Sequence, residues 1–451
     1  MGDHLFVILF SLYLAILLVL GFVNRKVASL SDFFLASRSL DSPSVGLTLS
    51  ATVIGGSAVI VTSSLVYTYG LAGLWYDIGS VVGLFVLGIW MAPRIRATRA
   101  HSLPDLVGIH YGREAKTASS ILLVLVEIGW VALLLQASGY VLTAALGASS
   151  TAALFISTLV FVGYTALGGQ LAVVRTDKVQ IVFVIFSLLT ILFAMMSKGV
   201  SLPLEKLSFP TSPGFDPSMV VSAFLVMFLS NIVGPDIYSK LFSARSPGDA
   251  ARGSISAALI RVLVSLTVGA IALLGFSSYG SGLAGGSVIP TVAGDMLPPA
   301  LSAVVMLGLL SIMVSSADSC LLSGATFLSW DLMRTRKWWI RPSSVVLIGS
   351  LSFLFAIYSP TILSTLVLTY TVFSAGIVPS VILSFWKDRL GLNGRGVMAS
   401  LLVGGGTVIL LHFLENVGSW NGSLLFLPML LSTASLFLFS RMFKERGLKC
   451  P

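Results

Sequence analysis

The chain has 451 residues, 56% of them hydrophobic and 10% charged, with a net charge of +9 and a mean hydropathy of +0.98. A soluble domain carries about 25% charged residues. These values exclude a soluble enzyme, a disordered chain and a nucleic-acid-binding protein, and describe an all-α polytopic membrane protein with room for about a dozen spans of ~20 residues.

Thirteen apolar runs of span length follow in order: 5–22, 44–67, 73–92, 119–143, 151–168, 177–197, 218–236, 256–277, 299–327, 342–358, 361–385, 397–414 and 423–443. They are numbered here span 0 to span 12. Span 0 lacks the basic stretch that opens a signal peptide. Asp3 and His4 precede it and Arg25 and Lys26 follow it, so it reads as a retained helix with its N-terminus outside. Alternating the loops then puts 25 of the 27 lysines and arginines on the inner side and only Lys198 and Lys206 on the outer side. Such asymmetry is the positive-inside signal of a protein integral to the plasma (inner) membrane, here with a cytoplasmic C-terminus. The net charge is a topology device. Cys320 and Cys450 form no disulfide framework.

Spans 1–5 (44–197) and spans 6–10 (218–385) form two blocks of five. Five is odd, so the second block enters the membrane from the opposite side. Span 1 carries Gly55-Gly56 and span 6 carries Gly234-Pro235 near mid-depth. Breaks at corresponding positions of two halves point to a transporter's binding site, because unpaired backbone survives in lipid only where it lines a cavity or holds a ligand. Taken singly, either glycine reads as a close-packing position; it is the coincidence of the two that points to a site.

Span 8 places Ile312, Ser315, Ser316 and Ser319 on one arc, with Asp318 bordering it. An acid at this depth costs about 2.5–3.5 kcal/mol on insertion scales and marks a functional site by default; the plainer account is a packed or hydrated polar group. Asp177 opens span 5 between Arg175 and Lys178. It is either an interfacial charge or a partner of Asp318 on a cation route. Glu127 in span 3 reads as a helix–helix hydrogen-bonding group, and Asp77 and Asp236 as interfacial acids. No lysine or arginine is expected at mid-membrane. There is no phosphate-cradling loop, no metal-spaced histidine pair, no nucleophile–base constellation and no long cytoplasmic stretch, so the expectation is neither an enzyme nor an ATP-driven pump. An ion gradient is then the energy source. One cation moving through 100 mV supplies about 2.3 kcal/mol.

Several stretches resemble the sodium:solute symporter family, which includes sodium/glucose, sodium/proline and sodium/sialic acid co-transporters. They are SDFFLASRSL (31–40), LTLSATVIGGSA (47–58), SLPDLVGIHYG (102–112), YTALGGQLAVVRTDKVQ (164–180), GPDIYSKLFSARS (234–246), SSADSCLL (315–322) with SWDL (329–332), and FSAGIVPSVILSFW (373–386). The matches run in the family's order. The resemblance implies a LeuT-type fold, a 5+5 inverted repeat with one extra helix before it (1–43) and two after it (397–451), all in one transmembrane unit.

By position, the resemblance also implies sodium held by the main-chain carbonyls of Val53, Gly56 and Ile312 and the hydroxyls of Ser315 and Ser316. A second cation site would use Asp177, Asp318 and Ser319. The solute cavity would take Ser57, Tyr76, Gln136, Ser230, Asn231, Gly234, Phe373 and Ser374. An acid stands at the position of Gly55 in the proline-transporting branch, which argues against proline. The expected function is sodium-coupled import of a small polar organic solute by alternating access, with Na+ as coupling ion, no organic cofactor, the lipid bilayer as surroundings and no obligatory protein partner. Proton coupling through Asp318 or Asp177, and a membrane sensor that lost transport, are the alternatives.

Overall fold

A computed structural model describes residues 2–24, 34–55, 57–283, 285–335, 337, 339–359, 361–415 and 423–443. The regular elements of the described chain are all helices. The helices are α1 (Gly2–Asn24), α2 (Ser42–Val53), α3 (Thr62–Tyr69), α4 (Trp75–Val86), α5 (Leu103–Tyr111), α6 (Arg113–Leu146), α7 (Ser150–Ser197) and α8 (Pro217–Val233). They continue as α9 (Pro235–Ser243), α10 (Pro247–Tyr279), α11 (Val288–Met296), α12 (Pro299–Thr326), α13 (Ile340–Tyr358), α14 (Ile362–Gly376), α15 (Gly394–Glu415) and α16 (Ser423–Met442). Among the described residues, nine helices are long and apolar enough to cross a membrane. This is an integral membrane protein.

Local chemistry sets the helix starts. Asp41, Ser102, Asp216 and Ser246 each accept a main-chain N–H of the first turn, and each is followed by proline within that turn. Proline there loses no intrahelical bond and its fixed φ suits the helix. Thr361 and Ser364 form a reciprocal cap on α14.

Both sequence-expected breaks are present. α2 stops at Val53 and the chain resumes as a π-helical turn at Ser57–Val61 before α3. α8 stops at Val233, Gly234 takes an extended ψ of 126°, and α9 starts at Pro235. The proline cannot donate to the preceding turn, so the main-chain ladder is cut. Span 6 was expected to end at 236; the structure carries it on through α9 to Ser243. The reason is Lys240, which reads as a loop charge but is fully buried.

Spans 4 and 5 appear as one run, α7, broken at Gly169, whose φ of 63° and ψ of −179° only glycine adopts freely. Tyr164 Oη lies 3.1 Å from Thr176 Oγ1 across this break. Twelve residues of straight helix would separate these positions by about 18 Å, so the chain bends sharply at Gly169. α12 is the central column. It lies against α6, α7 and α13, with α1 and α2 also in contact, and every residue from Val305 to Phe327 is buried. α10 packs on α2, α3 and α4, and α8 on α4. Phe193, Ile89 and Leu402 face outward, more than 70% exposed, as a lipid-facing surface requires.

Polar contacts tie down one face of the bundle, the one rich in arginine. Leu40 N donates to Ser243 O (3.1 Å) and Arg245 N to Leu40 O (2.7 Å). Lys116 Nζ pairs with Asp105 at 2.7 Å and Asp331 at 2.8 Å, and Ser102 Oγ donates to Asp331 at 2.8 Å. Burial alone would raise the Asp105 carboxyl, but hydrogen bonds from His101 and Lys116 and the lysine charge hold it well below the usual carboxylate range.

Gly169→Ala is expected to destabilise the protein by about 1–3 kcal/mol, the cost of forcing a side chain into this backbone region. Thermal unfolding of the purified variant in detergent checks it; an unchanged midpoint would contradict the assigned conformation.

Candidate ion and solute site

The two breaks face each other across α12. Thr52, Val53 and Gly55 from the first break, Ser316 and Cys320 from α12, Ser230, Asn231, Asp236 and Ile237 around the second break, and Trp130 and Tyr370 line one cavity of about 50 Å³. The first break is held close to α12. Ser316 Oγ lies 3.1 Å from both Ala51 O and Thr52 O, donating its single proton toward these carbonyls. A side chain at Gly55 would strike Ser316, so glycine is required by this close approach. Ser319 Oγ donates to Ser315 O (3.2 Å) and sits 3.2 Å from Thr52 Oγ1.

The Val53 carbonyl accepts from Arg261 Nη1, whose Nη2 donates to Asp77. Arg261 and Asp77 are both fully buried. This corrects two expectations. Asp77 is not interfacial, and an arginine does sit deep in the bundle, fourteen residues beyond Pro247 at the start of α10. Lys240 is the second exception, fully buried and 3.5 Å from Asp177.

The other sequence-selected residues fall as follows. Ser315 Oγ donates to Asp177 Oδ1 at 2.5 Å, and Thr48 Oγ1 donates to Asp177 Oδ2. Asp177 is fully buried rather than interfacial. Asp318 accepts from Thr165; no hydrogen bond joins it to Asp177 or Ser319 among the described residues. Ile312 is buried on α12. Gly56 lies outside the described residues, as does the side chain of Ser57. Gly234 forms the second break, and its carbonyl accepts from Tyr238 N at 2.8 Å. Phe373 is buried, with its ring 5.1 Å from that of Trp130. Ser374 is buried behind it.

Of the described solute candidates, Ser230 and Asn231 line this cavity, and Gly234, Phe373, Ser374, Tyr76 and Gln136 do not. Tyr76 is buried on α4 next to Asp77 and is not in the lining. Gln136 donates to Ala356 O (3.2 Å), accepts from Thr365 (2.9 Å), and lines a separate cavity of about 540 Å³ toward the far end of α6.

Sequence reasoning missed Arg261, Lys240, Trp130, Tyr370 and Cys320, and took Asp236 for an interfacial acid. For Arg261 and Asp77 a signal existed. Each is a lone charge inside an apolar run, and two lone opposite charges on different spans are candidates for pairing.

Arg261→Met is expected to destabilise the fold by about 3–5 kcal/mol, because it strands Asp77 in the interior. Arg261→Met with Asp77→Asn should recover most of that loss. Thermal unfolding of the single and double variants checks it; an equal loss in both would deny the pairing.

With this geometry in place, comparison with known proteins is informative. The family model described as "sodium:solute symporter family" matches residues 33–404. The chain is 25% identical over 430 residues to an osmoregulated proline transporter of Bacillus subtilis, covering 88% of this chain and 86% of that one. It is 23% identical to a sodium/pantothenate symporter of Haemophilus influenzae, covering 87% of each. Among solved structures, a substrate-bound, outward-open Na+-coupled sialic acid symporter superposes with a TM-score of 0.83 at 16% identity over 98% of both chains. A nucleobase-cation-symport-1 family transporter superposes with a TM-score of 0.64 at 12% identity, over 91% of this chain and 94% of that one. These likenesses give the fold, and the extent of the family match gives the rest: the chain belongs to the sodium:solute symporter family, whose members are transporters and not enzymes.

Proposed function

We propose that the protein is a sodium-coupled symporter that imports a small polar organic solute by alternating access. The carrying observation is the cavity at the two breaks. Ser230 Oγ and Trp130 Nε1 line it, buried and without a hydrogen-bond partner among the described residues. A buried polar group left unpaired costs about 1–3 kcal/mol, and a polar solute offers these two a partner. Asn231 Nδ2 donates within α8 to Met227 O at 2.8 Å, which leaves its side-chain oxygen as an acceptor.

Sodium sits, in this reading, between the first break and α12, on the carbonyls of Val53, Gly56 and Ile312 and the hydroxyls of Ser315 and Ser316. The hydrogen bonds support it. Ser315 and Ser316 each direct their proton away, to Asp177 and to the Ala51 and Thr52 carbonyls, so their lone pairs are free to face a cation. The Val53 carbonyl uses one lone pair on Arg261 and keeps the other. Neutral oxygen dipoles replace part of a small cation's hydration shell and still allow release.

The same reading keeps thirteen spans, two inverted five-helix blocks at 44–197 and 218–385, and the extra helices at 1–43 and 397–451. It keeps the N-terminus outside, which makes the arginine-rich face cytoplasmic. That face carries the Lys116–Asp331 and Leu40–Ser243 contacts and a cavity of about 560 Å³ beside Lys116, while the cavity at Gln136 lies toward the other end. Membership of a sodium:solute symporter family favours sodium over a proton as the driving ion.

The test is a thermal-shift screen of amino acids, sugars, monocarboxylates and nucleobases, with and without sodium, followed by uptake of the hit into proteoliposomes. Uptake is expected to follow the sodium gradient; sodium-independent uptake at fixed pH would refute the reading. Ser316→Ala should raise the sodium concentration for half-maximal uptake by about tenfold, the worth of one ligand at ~1.4 kcal/mol. Asn231→Ala should raise the KM for solute several-fold while shifting sodium dependence less. Equal shifts in both would move the solute elsewhere.

A further inference from the structure

We propose that Lys240 is a tethered counter-cation that fills the second cation position at Asp177, so that one sodium ion accompanies each solute. The proposal rests on the preceding reading of sodium at the first break.

A second sodium at Asp177 would need that carboxylate to be open to it. It is not. Lys240 Nζ stands 3.5 Å from Asp177 Oδ2, and both side chains are fully buried. Ser315 already donates to Oδ1 and Thr48 to Oδ2. Apart from this ion pair, Lys240 Nζ has no hydrogen-bond partner among the described residues; Asp177 is the carboxylate it pairs with, while Asp318 and, on its own helix, Asp236 feel its charge from further off. One buried carboxylate needs one compensating charge. A sodium placed beside the ammonium would be repelled by it.

The remaining members of the expected second site do not form a cage either. Asp318 turns to Thr165 on the first half of α7. Ser319 lies against Thr52 and Ser315 rather than against either carboxylate. The structure thus disagrees with a second metal ion and supplies an internal substitute for it.

The position of Lys240 adds a functional consequence. It is carried by α9, the second half of the broken span, while Asp177 comes from α7 and the hydroxyls on Asp177 from α2 and α12. The charge that closes this cluster is therefore part of an element beside the solute cavity. It is delivered by the chain rather than by solution. Being covalently attached, it crosses no gradient and adds no driving force, so the whole of the ion-derived accumulation falls to the sodium at the first break.

Equilibrium binding of radioactive sodium to the purified full-length protein tests this. One ion per chain is expected for the wild type and for Lys240→Arg. Lys240→Met should bind two, and Asp177→Asn combined with Lys240→Met should return to one. Two ions in the wild type or in Lys240→Arg, or one in Lys240→Met, would overturn the proposal. Should Lys240→Met not fold, Lys240→Gln takes its place with the same expected counts. A wild-type count of two leaves sodium at the first break intact and removes only the role of Lys240. A count of zero brings down the sodium reading itself.

Discussion

A helix cut at mid-membrane exposes carbonyl and amide groups that lipid cannot satisfy, and the interior of this protein is organised around that demand. At the first break, Ser316 answers the carbonyls of Ala51 and Thr52, and Arg261 answers that of Val53. A guanidinium is suited to the task, since its fork reaches a carbonyl and a carboxylate at once. Asp77 supplies the carboxylate, which offsets the cost of burying the cation. The break is thus held from two directions, by a hydroxyl on α12 and by a charge on α10. Neither contact uses up the lone pairs that an ion would need.

Three ion pairs in this fold join separate helices. Arg261 with Asp77 joins α10 to α4, Lys240 with Asp177 joins α9 to α7, and Lys116 with Asp331 joins α6 to the end of the α12 span. Burial of an ion pair is weak grounds for claiming stability, because the desolvation cost of both partners stands against their attraction. Its effect here is on register. Each pair fixes how far one helix is advanced along another, and two of them involve elements that border the cavity.

Much of the architecture was legible in the sequence because it follows from local chemistry. Gly55 and Gly234-Pro235 announce the breaks, and the spacing of Ser315, Ser316 and Ser319 gives a polar arc on one helix. Apolar run length finds the helices. What was hidden depends on which helices are neighbours, and periodicity carries no such information. Lys240 and Arg261 look like inner-loop charges until Asp177 and Asp77 are brought beside them, 63 and 184 residues away in sequence. The same limit separated Gln136 from the central cavity and concealed Trp130, whose apolar neighbours make it look like ordinary core. The bend at Gly169 is a further case. Two runs separated by a short glycine-bearing stretch read as two spans, and the positive φ that makes the turn appears only in the backbone.

The two main-chain hydrogen bonds between residue 40 and residues 243 and 245 carry a mechanical implication. They staple the lead-in of one interrupted span to the exit of the other. Separating these two segments would bare peptide groups, whereas moving them together breaks nothing. The energetically cheaper motion is a joint swing in which both half-helices travel as a single lever.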